Sequence, residues 1–416
     1  MQILAVDIGT GTQDILLFDS TREIENNTKL VMPSPTARCA QDIRAATARQ
    51  EAILLSGVMM GGGPCTWAAE AHVRAGLALY ATPDAARTFN DDLEQVEREL
   101  GVHLVSEDDA QECGARTIAM RKHVTHIRMG DLDLAAIQAA LKCFGVPCRP
   151  DLLAVAVFDH GNAPPGYSDR QFRFDYLKSQ ITHIKSQTPA LVTAGASVAN
   201  SKSQSAHEEG IARAREQLAR MAFQREAIPP ELTRFQAVAR SARAFDGPLV
   251  LMDTAPAAVL GALEDEHIHT PAYASASPAA CTLVANVGNF HTLAFRLGPA
   301  GIEGMFEHHT GELSAASLEG YLCQLAAGTL SHQAVFDHMG HGALMLDTRP
   351  RPIERLVVTG PRWGMLRGSA LHPYYAVPYG DMMLAGCYGL LRACANAWPE
   401  LAEEIEARLV GFSRHG

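Results

Sequence analysis

One pattern occurs twice in this chain and limits its fold more than any other feature. An apolar run ends in a polar residue and a glycine-bearing turn, and a second apolar run follows at once. Near the N-terminus, Leu4 to Val6 leads into Asp7-Ile8-Gly9-Thr10-Gly11-Thr12 and then Ile15 to Phe18. Far downstream, Thr282 to Val287 leads into Gly288-Asn289 and then Thr292 to Leu297. Short apolar runs joined by a Gly-bearing turn predict buried β-hairpins. Around the first hairpin, Lys29 to Met32 predicts a third strand, Gln41 to Gln50 a helix and Ala52 to Val58 a buried strand. Around the second, Pro248 to Met252 predicts a strand, Ala257 to Leu263 a small-residue helix and Leu356 to Val358 another strand. Leu313 to Ala327, Ser331 to Met339 and Met382 to Ala397 predict helices. Strands alternating with helices place the chain in the α/β class.

The middle is less patterned. Asp92 to Leu100 and Leu132 to Phe144 predict helices, and Leu152 to Phe158 predicts a strand that runs into a Gly/Pro-rich loop. Ser179 to Gln204 is rich in Ser, Thr and Ala, and Glu208 to Ala227 predicts a helix closed by Pro229-Pro230.

Composition excludes several classes. The chain has 416 residues, 47% of them apolar and 19% charged, enough for a sizeable core and two to three domains. Its net charge of −11 lacks the basic surface that phosphate-backbone binding requires, so no nucleic-acid partner is expected. The nine cysteines (Cys39, Cys65, Cys113, Cys143, Cys148, Cys281, Cys323, Cys387 and Cys394) form no C-x-x-C pair and no zinc-ribbon spacing. A disulfide framework is not expected, and a reducing cytoplasm fits. The N-terminus lacks the basic and long apolar regions of a signal peptide. The longest clean apolar run, Leu152 to Phe158, is far short of a membrane span.

The glycine turns carry the first chemical expectation. Glycine lets backbone approach a ligand closely or adopt positive φ. Turn N–H groups and hydroxyls can then hold phosphate oxygens, and an acidic residue at the strand end, here Asp7, can hold Mg²⁺ or a reacting water. Either turn alone is equally well explained as a tight turn without ligand, with Asp7 capping it. The common nucleotide motifs are absent: there is no G-x-x-x-x-G-K-[ST], and Gly9-x-Gly11 leads into a strand and lacks the third glycine of a dinucleotide site. H-E-x-x-H and G-x-S-x-G are also missing.

The order of five segments resembles the actin, hexokinase and heat-shock-chaperone ATPase superfamily, and within it the xylulose- and glycerol-type carbohydrate kinases. The segments are Val6 to Asp14, Leu251 to Ala262, Asn286 to Thr292, Val357 to Gly364 and Gly380 to Leu390. The resemblance implies two ribonuclease-H-like lobes, residues 1–245 and 246–416, with an interlobe nucleotide cleft and an irregular middle insertion. It implies ATP and Mg²⁺ as cofactors. Asp7 would contact the metal, and Gly9, Thr10, Gly11, Thr12 and Gln13 would cradle phosphate together with Gly288, Asn289, His291 and Thr292. Thr359, Gly360 and Gly364 would lie near adenosine. Asp253 would be the general base toward a small hydroxylated acceptor; the same residue also reads as a helix N-cap. The chain departs from the pattern at Asn286, where many relatives have Asp, at Gln13, where several have Lys, and at the single Gly360 of the adenosine motif.

The whole chain also resembles a prokaryotic family labelled as pyruvate formate-lyase activating enzymes, through Met59 to Pro64, Phe158 to Gly161 and Glu307 to Gly311. The iron–sulfur chemistry in that label needs a cysteine-ligated cluster, and the C-x-x-x-C-x-x-C spacing is missing. Gly61, Gly62, Gly63, Asp159, His160, His308 and His309 are candidate substrate-site residues, each with a structural alternative as a connector, turn or hydrogen-bonded residue. His308, His309, His332, His338 and His341, among 17 histidines, also read either as metal ligands or as ordinary hydrogen-bonded side chains. Two further readings are an ATP-hydrolysing activator of a partner enzyme and a non-catalytic metabolite-binding relative. The expected partner is a small molecule or another enzyme, with no membrane; the sequence assigns no oligomeric state.

Overall fold

A computed structural model describes residues 1–110, 124–187, 202–269 and 280–409. Cys113 and the 188–201 part of the Ser-rich stretch lie outside the described residues.

The first hairpin forms as expected. Strand β1 (Gln2–Ile8) pairs antiparallel with β2 (Thr12–Asp19), which pairs antiparallel with β3 (Thr28–Pro33). Four further strands, β4 (Ala52–Gly57), β5 (Leu79–Ala81), β6 (His103–Leu104) and β7 (Val124–Met129), build a separate all-parallel sheet in the order β6-β5-β4-β7. The chain then returns to the first sheet. Strand β8 (Leu152–Val157) runs parallel to β1, the short β9 (Phe223–Gln224) takes an edge, and β10 (Leu249–Asp253) lies between β8 and β9. Leu152 to Val157 is buried at every position, as a central parallel strand covered on both faces requires.

The second hairpin builds a sheet of the same plan. Strands β11 (Cys281–Val287), β12 (His291–Gly298), β13 (Gly301–His309) and β14 (Gly342–Met345) form an antiparallel run, while β15 (Ile353–Thr359) and β16 (Tyr374–Tyr375) continue parallel on the other side of β11. In both sheets a hairpin with a third antiparallel strand is extended on its other side by two parallel strands, β8 and β10 in the first, where antiparallel β9 then closes the edge, and β15 and β16 in the second. The described residues thus form a mixed α/β structure with three sheets.

Two helices lie between the two larger sheets. Thr254–Ala262 and Ala385–Ala397 are buried on nearly every side, the pattern of helices enclosed by protein. Their small residues allow backbone contact: a Cβ on Gly261 would run into the Ala385 carbonyl, and one on Gly389 into the Ala257 carbonyl. One apolar core accordingly joins both sheets, with Ile3 and Phe18 of the first, Phe295 and Val357 of the second, and Val259 and Leu390 of the helices. Each such large side chain contributes roughly 1.5–3 kcal/mol when taken out of water.

Several elements differ from the sequence expectation. The helix expected at Gln41 to Gln50 begins earlier, at Pro35, because Ser34 caps it: its Oγ accepts from Ala37 N (3.2 Å). The helix expected at Glu208 to Ala227 ends at Ala219, and Phe223–Gln224 is drawn into an edge strand by β10. Helix Asp169–Gln187 and strand β13 were not anticipated. Among the described residues no helix is long and apolar enough to cross a membrane.

Candidate functional site

The two glycine turns meet. Both stand at the ends of central strands, and both border one cavity of about 1060 Å³. In the first, Gly9 N donates to Thr12 O (2.9 Å) and Ser34 Oγ donates to Thr10 O (2.6 Å). In the second, Gly288 N donates to His291 O (3.0 Å). A Cβ on Gly11 would lie 2.5 Å from Asn289 Nδ2, and one on Gly288 would lie 2.6 Å from His291 O. At Gly288 the facing atom is backbone, so close approach requires glycine there, while at Gly11 it is the end of the Asn289 side chain; neither residue has positive φ. Gly360 does, with φ +95°, and its Cβ would sit 2.5 Å from Asn286 Oδ1. A third loop closes in from the separate parallel sheet: Gly61, Gly62 and Gly63 border the cavity, and Gly63 lies against Thr10 and Phe290.

Asp7 and Asp14 face one another across the first hairpin as register partners, and both border the cavity. Burial pushes the Asp7 carboxyl up to about 7, against the Thr254 hydroxyl, which donates to Asp7 Oδ1 (2.5 Å) and pulls it down; nearby Asp253 adds to the rise. Burial pushes Asp14 up to about 8, and the Asp7 charge adds to it. Asp14 Oδ1 is buried with no hydrogen-bond partner among the described residues. Gly386, at the start of the Ala385–Ala397 helix, makes room for Asp7, since a Cβ there would collide with Asp7 Oδ2.

Asp253 sits differently. Its Oδ1 accepts from Ala255 N (3.2 Å) as a helix N-cap, and its Oδ2 accepts from Arg173 Nη1 (2.7 Å). It does not border the cavity. Arg173 is fully enclosed, and its remaining donors reach Glu307 (2.8 and 2.7 Å) and the Asp159 carbonyl (2.7 Å), while its guanidinium stacks 3.4 Å over the Phe158 ring. This buried network was not foreseen from sequence. The apolar positions Phe174, Leu177, Ile181 and Ile184 mark the inner face of its helix, and Arg173 stands beside them, so a charge at the edge of an apolar helical face was the available clue.

The other candidates divide between the cavity and other settings. Thr10, Thr12, Asn289, His291, Thr359, Gly360, Asp159 and His160 border the cavity, and the buried Thr359 hydroxyl has no partner among the described residues. Both Asp159 oxygens are engaged, Oδ1 by Gly161 N (2.8 Å) and Oδ2 by Phe235 N (2.9 Å), and burial pushes the carboxyl up to about 6. Gln13 turns away and donates to Pro33 O (3.1 Å). Thr292 is buried against Thr310 (2.9 Å between hydroxyls), and Gly364 lies in a short 3₁₀ turn; neither borders the cavity.

The two adjacent histidines of β13 point to opposite faces, as strand alternation dictates. His308 packs on Tyr321 and meets His338 (Nε2 to Nδ1, 3.2 Å) away from the cavity. His309 turns toward His291 and His341, with ring centroids 5.1 and 4.6 Å away. His160, His291 and His341 come together from a loop after β8, the start of β12 and the approach to β14, their nearest ring nitrogens within 4.8 Å of one another. Burial, reinforced by Arg173, pushes the His160 imidazole down to about 3; burial likewise holds His291 and His341 well below the ordinary histidine range. His332 instead accompanies Gln171 and Phe336.

The cavity thus joins an acidic pair, two glycine turns and a set of converging imidazoles in a mixed α/β frame. The family described as "Putative pyruvate format-lyase activating enzyme (DUF1786)" matches residues 60–203 and 195–365, well over half of the chain, and the protein belongs to that family. No curated protein matches the chain. Among the described residues no three cysteines come together as cluster ligands.

Proposed function

We propose that the protein is a two-lobed phosphotransferase of the ATPase type, with ribonuclease-H-like lobes built on the sheet containing β1 and the sheet containing β11, and with Mg-ATP bound in the cavity between them. The observation that carries this reading is the convergence of the two hairpin turns on one cavity, with Gly11 of the first turn against the Asn289 side chain of the second. Turns of this kind present backbone N–H groups and hydroxyls, here of Thr10 and Thr12, to phosphate oxygens. The Thr359 hydroxyl, unpartnered among the described residues, and Gly360 suit the nucleoside end.

The acidic pair fits a divalent cation. Two buried carboxylates that face one another repel, and Asp14 Oδ1 has no partner among the described residues; a hard cation with oxygen ligands and waters relieves both. Mg²⁺ bound there would neutralise phosphate charge. Asp14 would hold it and Asp7 would contact the attacking oxygen. An acceptor hydroxyl bonds to the γ-phosphorus, the bridging β–γ oxygen departs with ADP, and the hydroxyl proton passes to the Asp7 carboxylate, which burial keeps near neutrality. Closure around the acceptor would exclude water.

A second reading, hydrolysis of ATP that drives a change in a partner enzyme, is favoured by the engagement of Asp253. With that carboxylate held by Arg173, no second base faces an acceptor from β10. The family description, which speaks of an activating enzyme, points the same way. In that case water replaces the hydroxyl and phosphate is released.

Phosphate release and product formation with a panel of hydroxylated metabolites test the proposal. Asp7→Asn should lower turnover at least about 100-fold. Equal turnover in the variant would overturn the role of Asp7. Stimulation by a partner protein without any acceptor product would select the second reading.

A further inference from the structure

We propose that His160, His291 and His341 form a transition-metal site of three imidazoles, open on one side to the cavity and separate from the Asp7–Asp14 pair. The ligand atoms come from three chain segments far apart in sequence, yet lie within 4.8 Å of one another. His341 is completely buried, and among the described residues neither of its ring nitrogens has a hydrogen-bond partner; His291 Nε2 is likewise buried and unpartnered among them. Unsatisfied buried polar atoms are costly, about 1–3 kcal/mol each. Two such rings converging with a third imidazole at the cavity wall, His160, leave that cost unexplained unless something is bound between them.

The guanidiniums that face the three rings are already paired, Arg173 with Asp253 and Glu307 and Arg234 with Asp131. His291 is fixed by stacking on Phe158, with centroids 3.8 Å apart and planes 9° apart. His341 Nδ1 lies 3.7 Å from Glu307 Oε2, a short tilt from the carboxylate–histidine contact that orients metal-binding imidazoles.

Ligand chemistry selects the ion. Three imidazoles without a first-shell carboxylate favour Zn²⁺, Co²⁺ or Fe²⁺ over Mg²⁺ or Ca²⁺. Tetrahedral Zn–N bonds of about 2.1 Å need nitrogens about 3.4 Å apart, so the rings must draw inward. His160, which borders the cavity, has the space to turn. The remaining coordination position faces the cavity and suits water or an oxygen of a bound small molecule.

Metal-stripped full-length protein titrated with Co²⁺ tests the site by visible absorption, and Zn²⁺ is then titrated against a chromophoric chelator. The expected result is one Co²⁺ per chain with the intense bands of low coordination, displaced by Zn²⁺ and indifferent to Mg²⁺. His160→Ala, at a cavity-lining position, should weaken binding at least about ten-fold, and His341→Asn should abolish the bands. His183→Ala, on an exposed helix face, should change nothing. Folded protein that binds no Co²⁺ or Zn²⁺, or binds equally in wild type, His160→Ala and His341→Asn, would overturn the site.

Discussion

Asp7 and Asp14 make stability depend on pH in a definite direction. Their folded pKa values, about 7 and about 8, lie above the ordinary aspartate value of 3.8. Between those limits the folded chain holds protons that the unfolded chain has lost, so their contribution falls as pH rises from about 4 to 8. Denaturant titrations across pH should show Asp14→Asn less destabilised than wild type at pH 8 compared with pH 5; a constant difference would contradict the buried pair. Arg173 carries a separate prediction. Arg173→Met strands Asp253 and Glu307 without their cation, and such a loss costs about 3–5 kcal/mol, readable as a lower denaturation midpoint. At this scale the sequence revealed Asp7 as a strand-end acid beside a glycine turn. It hid Arg173, because nothing local distinguishes a buried guanidinium from a surface one.

The two buried helices set the geometry between the larger sheets. Gly261→Ala or Gly389→Ala places a methyl group into the facing backbone, and overpacking of this kind typically costs about 1–3 kcal/mol. Gly320→Ala is the contrast. It lies inside helix Ala315–Ala327 with nothing within 4 Å of the added Cβ, and should stabilise by about 0.5–1 kcal/mol through helix propensity. Thermal unfolding of the three variants checks both signs. The hairpins, their third-strand partner β3 and the small-residue helices were legible in sequence because each is a local pattern. Strand β13 was not: Gly301 to His309 mixes glycine, glutamate and histidine, and only its pairing with β12 and β14 makes it a strand. Ala52 to Val58 was read correctly as a strand, but its place in a separate sheet depends on β5 and β7, which no local pattern announces.

At the scale of the whole molecule, the convergence of the turns is the central fact. It arises because each turn ends the central hairpin of its sheet and the paired helices bring those sheet ends together. The order of motifs foretold that meeting; the histidine set it did not, because its members come from a loop and two strand starts in different parts of the chain. The most direct test is the thermal midpoint of wild type and Asp7→Ala with and without Mg-ATP. Ligand at 100 times its Kd adds about 2.7 kcal/mol, a rise of a few degrees. The account predicts that rise in wild type, its loss without Mg²⁺ and its loss in Asp7→Ala. No rise in folded wild type, or an equal rise in the variant, would contradict a nucleotide cleft built on the two turns.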